Sequence, residues 1–238
     1  MNLREKYGEW GIILGATEGV GKAFAEKIAS EGMSVVLVGR REEMLQELGK
    51  NISETYGVDH MVIRADFAQS DCTDKIFEAT KDLDMGFMSY VACFHTFGKL
   101  QDTPWEKHEQ MINVNVMTFL KCFYHYMGIF AKQDRGAVIN VSSLTAISSS
   151  PYNAQYGAGK SYIKKLTEAV AAECESTNVD VEVITLGTTI TPSLLSNLPG
   201  GPAGEAVMKA AMTPEACVEE AFDNLGKSLS VIAGEHNK

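Results

Sequence analysis

The sequence predicts one α/β domain, residues 1–238, built on a doubly wound parallel sheet with helices on both faces. Three observations carry that expectation. Short apolar runs alternate with longer amphipathic segments, the rhythm of parallel strands joined by helical crossovers. The first apolar run ends directly in a glycine-rich turn that opens a helical pattern. A length of 238 residues, 45% of them hydrophobic, suits one full core, and no repeat or linker interrupts it.

Trp10 to Leu14 is the first strand, apolar throughout as a strand buried on both faces should be. Gly15-Ala-Thr-Glu-Gly19-Val-Gly21 follows at once, and a helical pattern runs on through Ile28. Strand, glycine turn and helix together are the context of a Rossmann-like dinucleotide site. Gly15, Gly19 and Gly21 let the backbone turn tightly and approach a pyrophosphate. Thr17, Glu18 and Val20 lie within the turn, where the helix N-terminus offers free N–H groups. The spacing is Gly-x-x-x-Gly-x-Gly rather than the commoner Gly-x-Gly-x-x-Gly.

The second strand, 33–38, ends in Gly39-Arg40-Arg41. An NAD site places an acid there for the ribose hydroxyl. Two guanidinium groups instead suit the 2′-phosphate of NADP, and Gly39 leaves room for it. The alternative is that Arg40 and Arg41 simply open the next helix in solvent. That helix runs from Glu42 to Tyr56, and the third strand, 60–65, leads into Asp66 and Phe67. Asp66 either accepts a hydrogen bond from an adenine amine or caps a helix. The fourth strand, 88–93, passes through Ala92 towards His95. A long helical stretch, 105–123, holds Asn113 and Asn115, polar groups that need buried partners. The fifth strand, 137–141, delivers Ser142 and Ser143 at its carboxyl end, where ligands bind in such sheets. The sixth, 181–185, leads into Gly187, Thr189 and Thr191. From about 188 to 215, Leu194, Leu195, Leu198, Met208 and Met212 surround Pro199-Gly-Gly-Pro202. That mixture reads as a lid over an apolar ligand, or as a surface loop with a short helix. A last strand, 230–233, follows.

Tyr156 and Lys160 are four residues apart in a segment that continues as a helix through Ala172. On a helix the two share a face. A cation beside a phenol stabilises the phenolate, which would turn Tyr156 into a usable acid and base. Ser143 could hold the same substrate oxygen. Taken alone, the spacing equally describes two surface neighbours.

The net charge of −10 and the lack of a basic run argue against nucleic acid or an anionic membrane as partner. No stretch approaches the roughly 18–20 apolar residues of a membrane span. The first seven residues carry no leader pattern. The five cysteines are scattered, which suits reduced thiols in a cytoplasm. The five histidines show no metal spacing, and no metal is expected.

The set Gly15-x-x-x-Gly19-x-Gly21, Asp66, Asn115, Ser143, Tyr156-x-x-x-Lys160 and Gly187-x-x-x-Thr191 resembles the classical short-chain dehydrogenase/reductase family over nearly the whole chain. The resemblance implies hydride transfer with NADP and without metal. It makes Tyr156 the acid and base, with Ser143 positioning the substrate oxygen. Lys160 would lower the Tyr156 pKa and bind the nicotinamide ribose. Asn115 would hold a relay water, with Asn113 a competing candidate. Where the family usually reads Asn-Asn-Ala-Gly, this chain has Ala92-Cys93-Phe94-His95, which puts bulk and an imidazole beside the cofactor. Leu186 replaces the family's proline before Gly187, and Leu14 its threonine before the turn. Residues 1–10, 92–98, 185–189 and 193–201 resemble more narrowly the family's NADP-dependent hydroxysteroid dehydrogenases of bile acids. That implies a steroid substrate against His95, Ser143, Leu194, Leu198 and Met208. It also implies a homodimer or homotetramer formed through long helices such as 105–123 and 157–172. Two other readings stay open: a reductase of 3-oxoacyl chains or another ketone, and an NADP sensor without turnover. A sensor has no need of the acid/base pair.

Overall fold

The computed structural model describes residues 2–148 and 151–238. Its strands are β1 (Trp10–Leu14), β2 (Ser34–Gly39), β3 (His60–Arg64), β4 (Met85–Tyr90), β5 (Gly136–Ser143), β6 (Val179–Leu186) and β7 (Ser230–Ile232). They form one parallel sheet in the order β3-β2-β1-β4-β5-β6-β7. The helices are α1 (Leu3–Tyr7), α2 (Gly19–Ser30), α3 (Glu42–Tyr56), α4 (Cys72–Thr80), α5 (Trp105–Ile112), α6 (Phe119–Gln133), α7 (Ala154–Glu173), α8 (Pro192–Ser196), α9 (Gly201–Ala210) and α10 (Pro214–Asn224).

Alternation along each strand divides the core in two. Ile13, Val35, Leu37 and Ile139 face one way and pack on α2, α3 and α10 through Phe24, Leu45, Leu48 and Val218. Ile12, Leu14, Val36 and Val138 face the other way and pack on α4, α6 and α7 through Ile76, Phe119, Phe123 and Ile163. Both faces are therefore covered, as a parallel sheet requires. The chain winds outward from β1 to β3 and then returns to lay β4 on the other side of β1. The direction reverses between β1 and β4, so a crevice opens at their carboxyl ends.

The boundaries depart from the sequence reading in places. β4 begins and ends three residues before the expected 88–93, with Tyr90 opposite Leu14. The N–H groups of Val91 and Ala92 both bond to the Leu14 carbonyl, so the chain turns away from the sheet before Cys93. The helical stretch from Trp105 runs on to Gln133 through a π-helical segment, Asn113–Thr118. α7 begins at Ala154 and so contains both Tyr156 and Lys160. α1, α4 and α10 had no sequence expectation, because their apolar positions are few and their segments short or interrupted. Among the described residues no helix is long and apolar enough to cross a membrane.

Candidate active site

A cavity of about 770 Å³ opens at the carboxyl ends of the central strands. One end is built almost wholly by the β1–α2–β2 unit. Gly15, Thr17, Glu18, Gly19 and Val20 line it from the turn, and Gly39, Arg40 and Arg41 from the end of β2. Gly15 has φ +101°, and a Cβ there would sit 2.6 Å from the Ala92 nitrogen. A Cβ on Gly21 would fall 1.9 Å from the Gly15 carbonyl oxygen. Gly21 does not line the cavity; it lets the turn close. Glu18 stands at the N-cap of α2 without a side-chain capping bond, which leaves the first helical N–H groups to a ligand. Its carboxylate instead pairs with the Arg41 guanidinium at 2.8 Å. Arg40 is exposed at the rim. Asp66 and Phe67 complete this end, with Asp66 Oδ1 accepting the Ala68 N–H at 3.1 Å. Asp66 thus braces its own turn while lining the cavity. This donor set fits an NADP: an N–H-rich turn for the pyrophosphate and guanidinium groups at the strand end for a further phosphate.

The other end gathers residues far apart in sequence. β5 brings Ser142 and Ser143, and α7 brings Tyr156 and Lys160. Two reciprocal hydrogen bonds lock these elements. Ser142 Oγ donates to the Lys160 carbonyl at 2.8 Å, and Lys160 Nζ donates to the Val141 carbonyl at 2.9 Å. Lys160 is only 2% exposed, and burial pushes its ammonium below the ordinary lysine value. Its Nζ lies 5.9 Å from the centre of the Tyr156 ring. Burial, and then the charge of nearby Cys93, push the Tyr156 phenol above its ordinary value. A hydrogen bond with Ser143 pulls the other way without overcoming them. The sequence reading had Lys160 drawing the phenol down; here desolvation prevails and Tyr156 is a protonated acid at neutral pH.

Asn115 and Asn113 separate cleanly. Asn115 is buried in the π-helical segment, its Oδ1 accepting from the Phe94 N–H at 2.9 Å and its Nδ2 donating to the Phe94 carbonyl at 2.7 Å. It does not line the cavity but ties the chain after β4 to the helix beside α7. Gly159 of α7 lies so close that a Cβ on it would stand 3.1 Å from that of Asn115. Asn113 turns away and donates to the Ala68 carbonyl at 3.3 Å.

Ala92, His95, Gly187, Thr189, Thr191 and Leu194 all line the cavity. The His95 ring lies 5.5 Å from that of Tyr156 and stands edge-on to Phe97 at 5.4 Å. Thr191 caps α8 by accepting the Leu194 N–H at 3.2 Å. Its methyl group sits 2.9 Å from where a Cβ on Gly19 would be, so the segment after β6 rests on the phosphate turn. Leu198 and Met208 do not reach the cavity. Leu198, in the turn between α8 and α9, packs instead towards Gly204 of α9, 3.5 Å from where a Cβ there would stand. Cys93, Phe94, Phe97, Thr145 and Asn153 line the cavity without having been expected from sequence. Cys93, Phe94, Phe97 and Asn153 sit on loops, and Thr145 in a 3₁₀ turn, none with a periodic pattern. Only the bulk of Ala92-Cys93-Phe94-His95 signalled a different wall there.

The family model for short chain dehydrogenases matches residues 9–198. A 7β-hydroxysteroid dehydrogenase of Collinsella aerofaciens is 76% identical over 238 residues, covering 100% of this chain and 90% of that one. One from Mediterraneibacter gnavus is 75% identical with the same coverage. A solved structure from a study of 7β-hydroxysteroid dehydrogenase stereoselectivity matches with a TM-score of 0.97 at 76% identity, covering 100% of this chain and 92% of that chain.

Proposed function

The chain belongs to the short-chain dehydrogenase family, and we propose that within it the chain is an NADP-dependent oxidoreductase acting on the 7β-hydroxyl of a bile acid. The reaction interconverts a substrate such as ursodeoxycholate with its 7-keto form. The observation that carries the chemistry is the meeting of Ser143, Tyr156 and Lys160 in one cavity that also holds the glycine turn and the arginine pair. The substrate class is supported by relatives at 75–76% identity over the full chain. The apolar wall of Phe94, Phe97 and Leu194 suits a steroid skeleton.

Gly15, Gly19 and the α2 N-terminus hold the pyrophosphate, Arg40 and Arg41 the 2′-phosphate, and Asp66 with Phe67 the adenine. Gly187, Thr189 and Thr191 close over the nicotinamide end. When bound, the nicotinamide supplies or accepts the hydride. In ketone reduction Tyr156 gives its phenolic proton to the carbonyl oxygen, and the Ser143 hydroxyl donates to the same oxygen. In alcohol oxidation Tyr156 must first lose that proton, and the Lys160 ammonium stabilises the phenolate. Asn115 acts by holding the Phe94 backbone beside this group. The segment 188–215 serves as the lid, with Leu194 its contact to the substrate.

Along α5 and α6, Trp105 and Tyr124 are 69% and 80% exposed, which supports a homo-oligomer through this face. Light scattering on the purified protein reads its mass directly. The five free cysteines support a reducing compartment such as the cytoplasm.

The deciding experiment gives the protein NADP or NAD with ursodeoxycholate, its 7α epimer chenodeoxycholate, or a simple secondary alcohol. Turnover of ursodeoxycholate with NADP is expected. Turnover confined to the 7α epimer or the simple alcohol would discard the named substrate. Preference for NAD would discard the role of the arginine pair.

A further inference from the structure

The two arginines at the end of β2 are not equivalent. Arg40 is exposed at the rim, and among the described residues no carboxylate pairs with it. Arg41 is held. Its Nη1 donates to Glu18 Oε2 at 2.8 Å, across from the glycine turn. Thr17 Oγ1 stands 2.7 Å from where a Cβ on Gly39 would be, so turn and strand end touch and the reach from Glu18 to Arg41 is short. The Glu18 side chain makes no capping bond to α2 and is drawn to the guanidinium instead. Both side chains line the cavity, and they are 33% and 50% exposed, so a ligand can reach the pair. An acid beside a phosphate site is the wrong sign for its ligand. It offers Arg41 what a phosphate would offer: a negatively charged acceptor oxygen.

We infer that Glu18 is a cofactor-specificity residue, an internal competitor of the 2′-phosphate for Arg41. Binding of NADP exchanges one charge-assisted hydrogen bond for another. The Arg41 Nη1 leaves the carboxylate and donates to a phosphate oxygen, while Arg40 takes the same phosphate without giving up a partner. NAD carries a hydroxyl in place of that phosphate and leaves the pair of Glu18 and Arg41 intact. The exchange therefore weakens NADP alone, and Glu18 narrows the preference for NADP over NAD. A partly exposed ion pair contributes little, which sets the effect at a few-fold.

The test is titration calorimetry on the intact protein, which needs no turnover. NADP, NAD, adenosine 2′,5′-bisphosphate and 5′-AMP are each titrated into wild type and Glu18→Gln. The substitution removes the charge and keeps the shape. The Kd for NADP and for the bisphosphate should fall roughly two- to fivefold, and those for NAD and 5′-AMP should not move. Glu18→Ala should give the same gain. In an Arg41→Ala background the gain should vanish, because the two groups act as a pair. Weaker NADP binding by Glu18→Gln would overturn the competition and make Glu18 a brace that orients Arg41. An equal gain for NADP and NAD would set Glu18 against the pyrophosphate instead. A gain that survives intact in Arg41→Ala would take Arg41 out of the effect. The inference rests on the reading of this end of the cleft as an NADP site. Wild type that binds the bisphosphate no more tightly than 5′-AMP would overturn that reading and the role together. Normal discrimination in wild type with no change in Glu18→Gln would overturn the role alone.

Discussion

The two ends of the cleft are built on opposite principles. The phosphate end is local: one β1–α2–β2 unit supplies the turn, the helix N-terminus and the arginine pair. The chemical end is assembled from the ends of β4, β5 and β6, from α7 and from the approach to α8. The first depends on what side chains are absent, at Gly15 and Gly21. The second depends on what side chains are braced, at Lys160 with Val141 and at Asn115 with Phe94. A local site fails by intrusion of atoms; a distributed one fails by loss of a group or its brace.

The largest effect is expected at the chemical end. Tyr156→Phe should bind NADP normally and lose at least about 10²-fold in turnover, the low end of what a positioned general acid or base contributes. Steady-state kinetics with a parallel NADP titration reads both, and near-normal turnover would remove Tyr156 from its role. At the phosphate end, Gly21→Ala forces a methyl group into the Gly15 carbonyl. NADP affinity should fall about tenfold or more, with a stability cost of ~1–3 kcal/mol or above. Unchanged affinity by titration calorimetry would mean the turn has slack that the geometry denies.

Replacing Arg40 and Arg41 together by alanine should raise the KM for NADP about tenfold, in keeping with loss of charged hydrogen bonds, and barely change that for NAD. Equal effects on both cofactors would detach the pair from the 2′-phosphate. The protonated state of Tyr156 sharpens the contrast further. Its folded-state pKa is raised, so alcohol oxidation should keep accelerating as pH climbs through the alkaline range. Ketone reduction should lose rate only at the top of that range. A flat oxidation profile above neutrality would show that a different group takes the proton.

The smallest effect lies outside both ends. Glu182 in β6 is fully buried, neither carboxylate oxygen has a hydrogen-bond partner, and burial pushes its pKa to about 8. The folded state holds this proton more tightly than the unfolded state. Its contribution is therefore complete below the ordinary carboxylate range and is lost as pH rises through about 8. Between those limits stability should fall by about 1.4 kcal/mol per pH unit from this group, or roughly 3–6 °C in Tm. Glu182→Gln should remove that slope. Identical pH profiles of Tm for the two proteins would mean Glu182 finds a partner on relaxation.

What the sequence determined by itself was everything carried by a short-range pattern. The apolar runs, the glycine turn with Arg40 and Arg41 one strand later, and the Tyr156–Lys160 spacing are all set by chain geometry over a few residues. Each was in place before any packing was known. Tertiary structure alone decided the rest. It gave Asn115 and Asn113 different partners, because a π-helical turn aims one at Phe94 and the other at Ala68. It kept Leu194 at the cavity and left Leu198 and Met208 off its wall. It set Cys93 and His95 beside Tyr156, because β4 ends early and hands its loop to the cleft. It also raised the Tyr156 phenol above its ordinary value, because desolvation comes from every neighbour that surrounds a group, and those neighbours arrive from segments that local sequence cannot see.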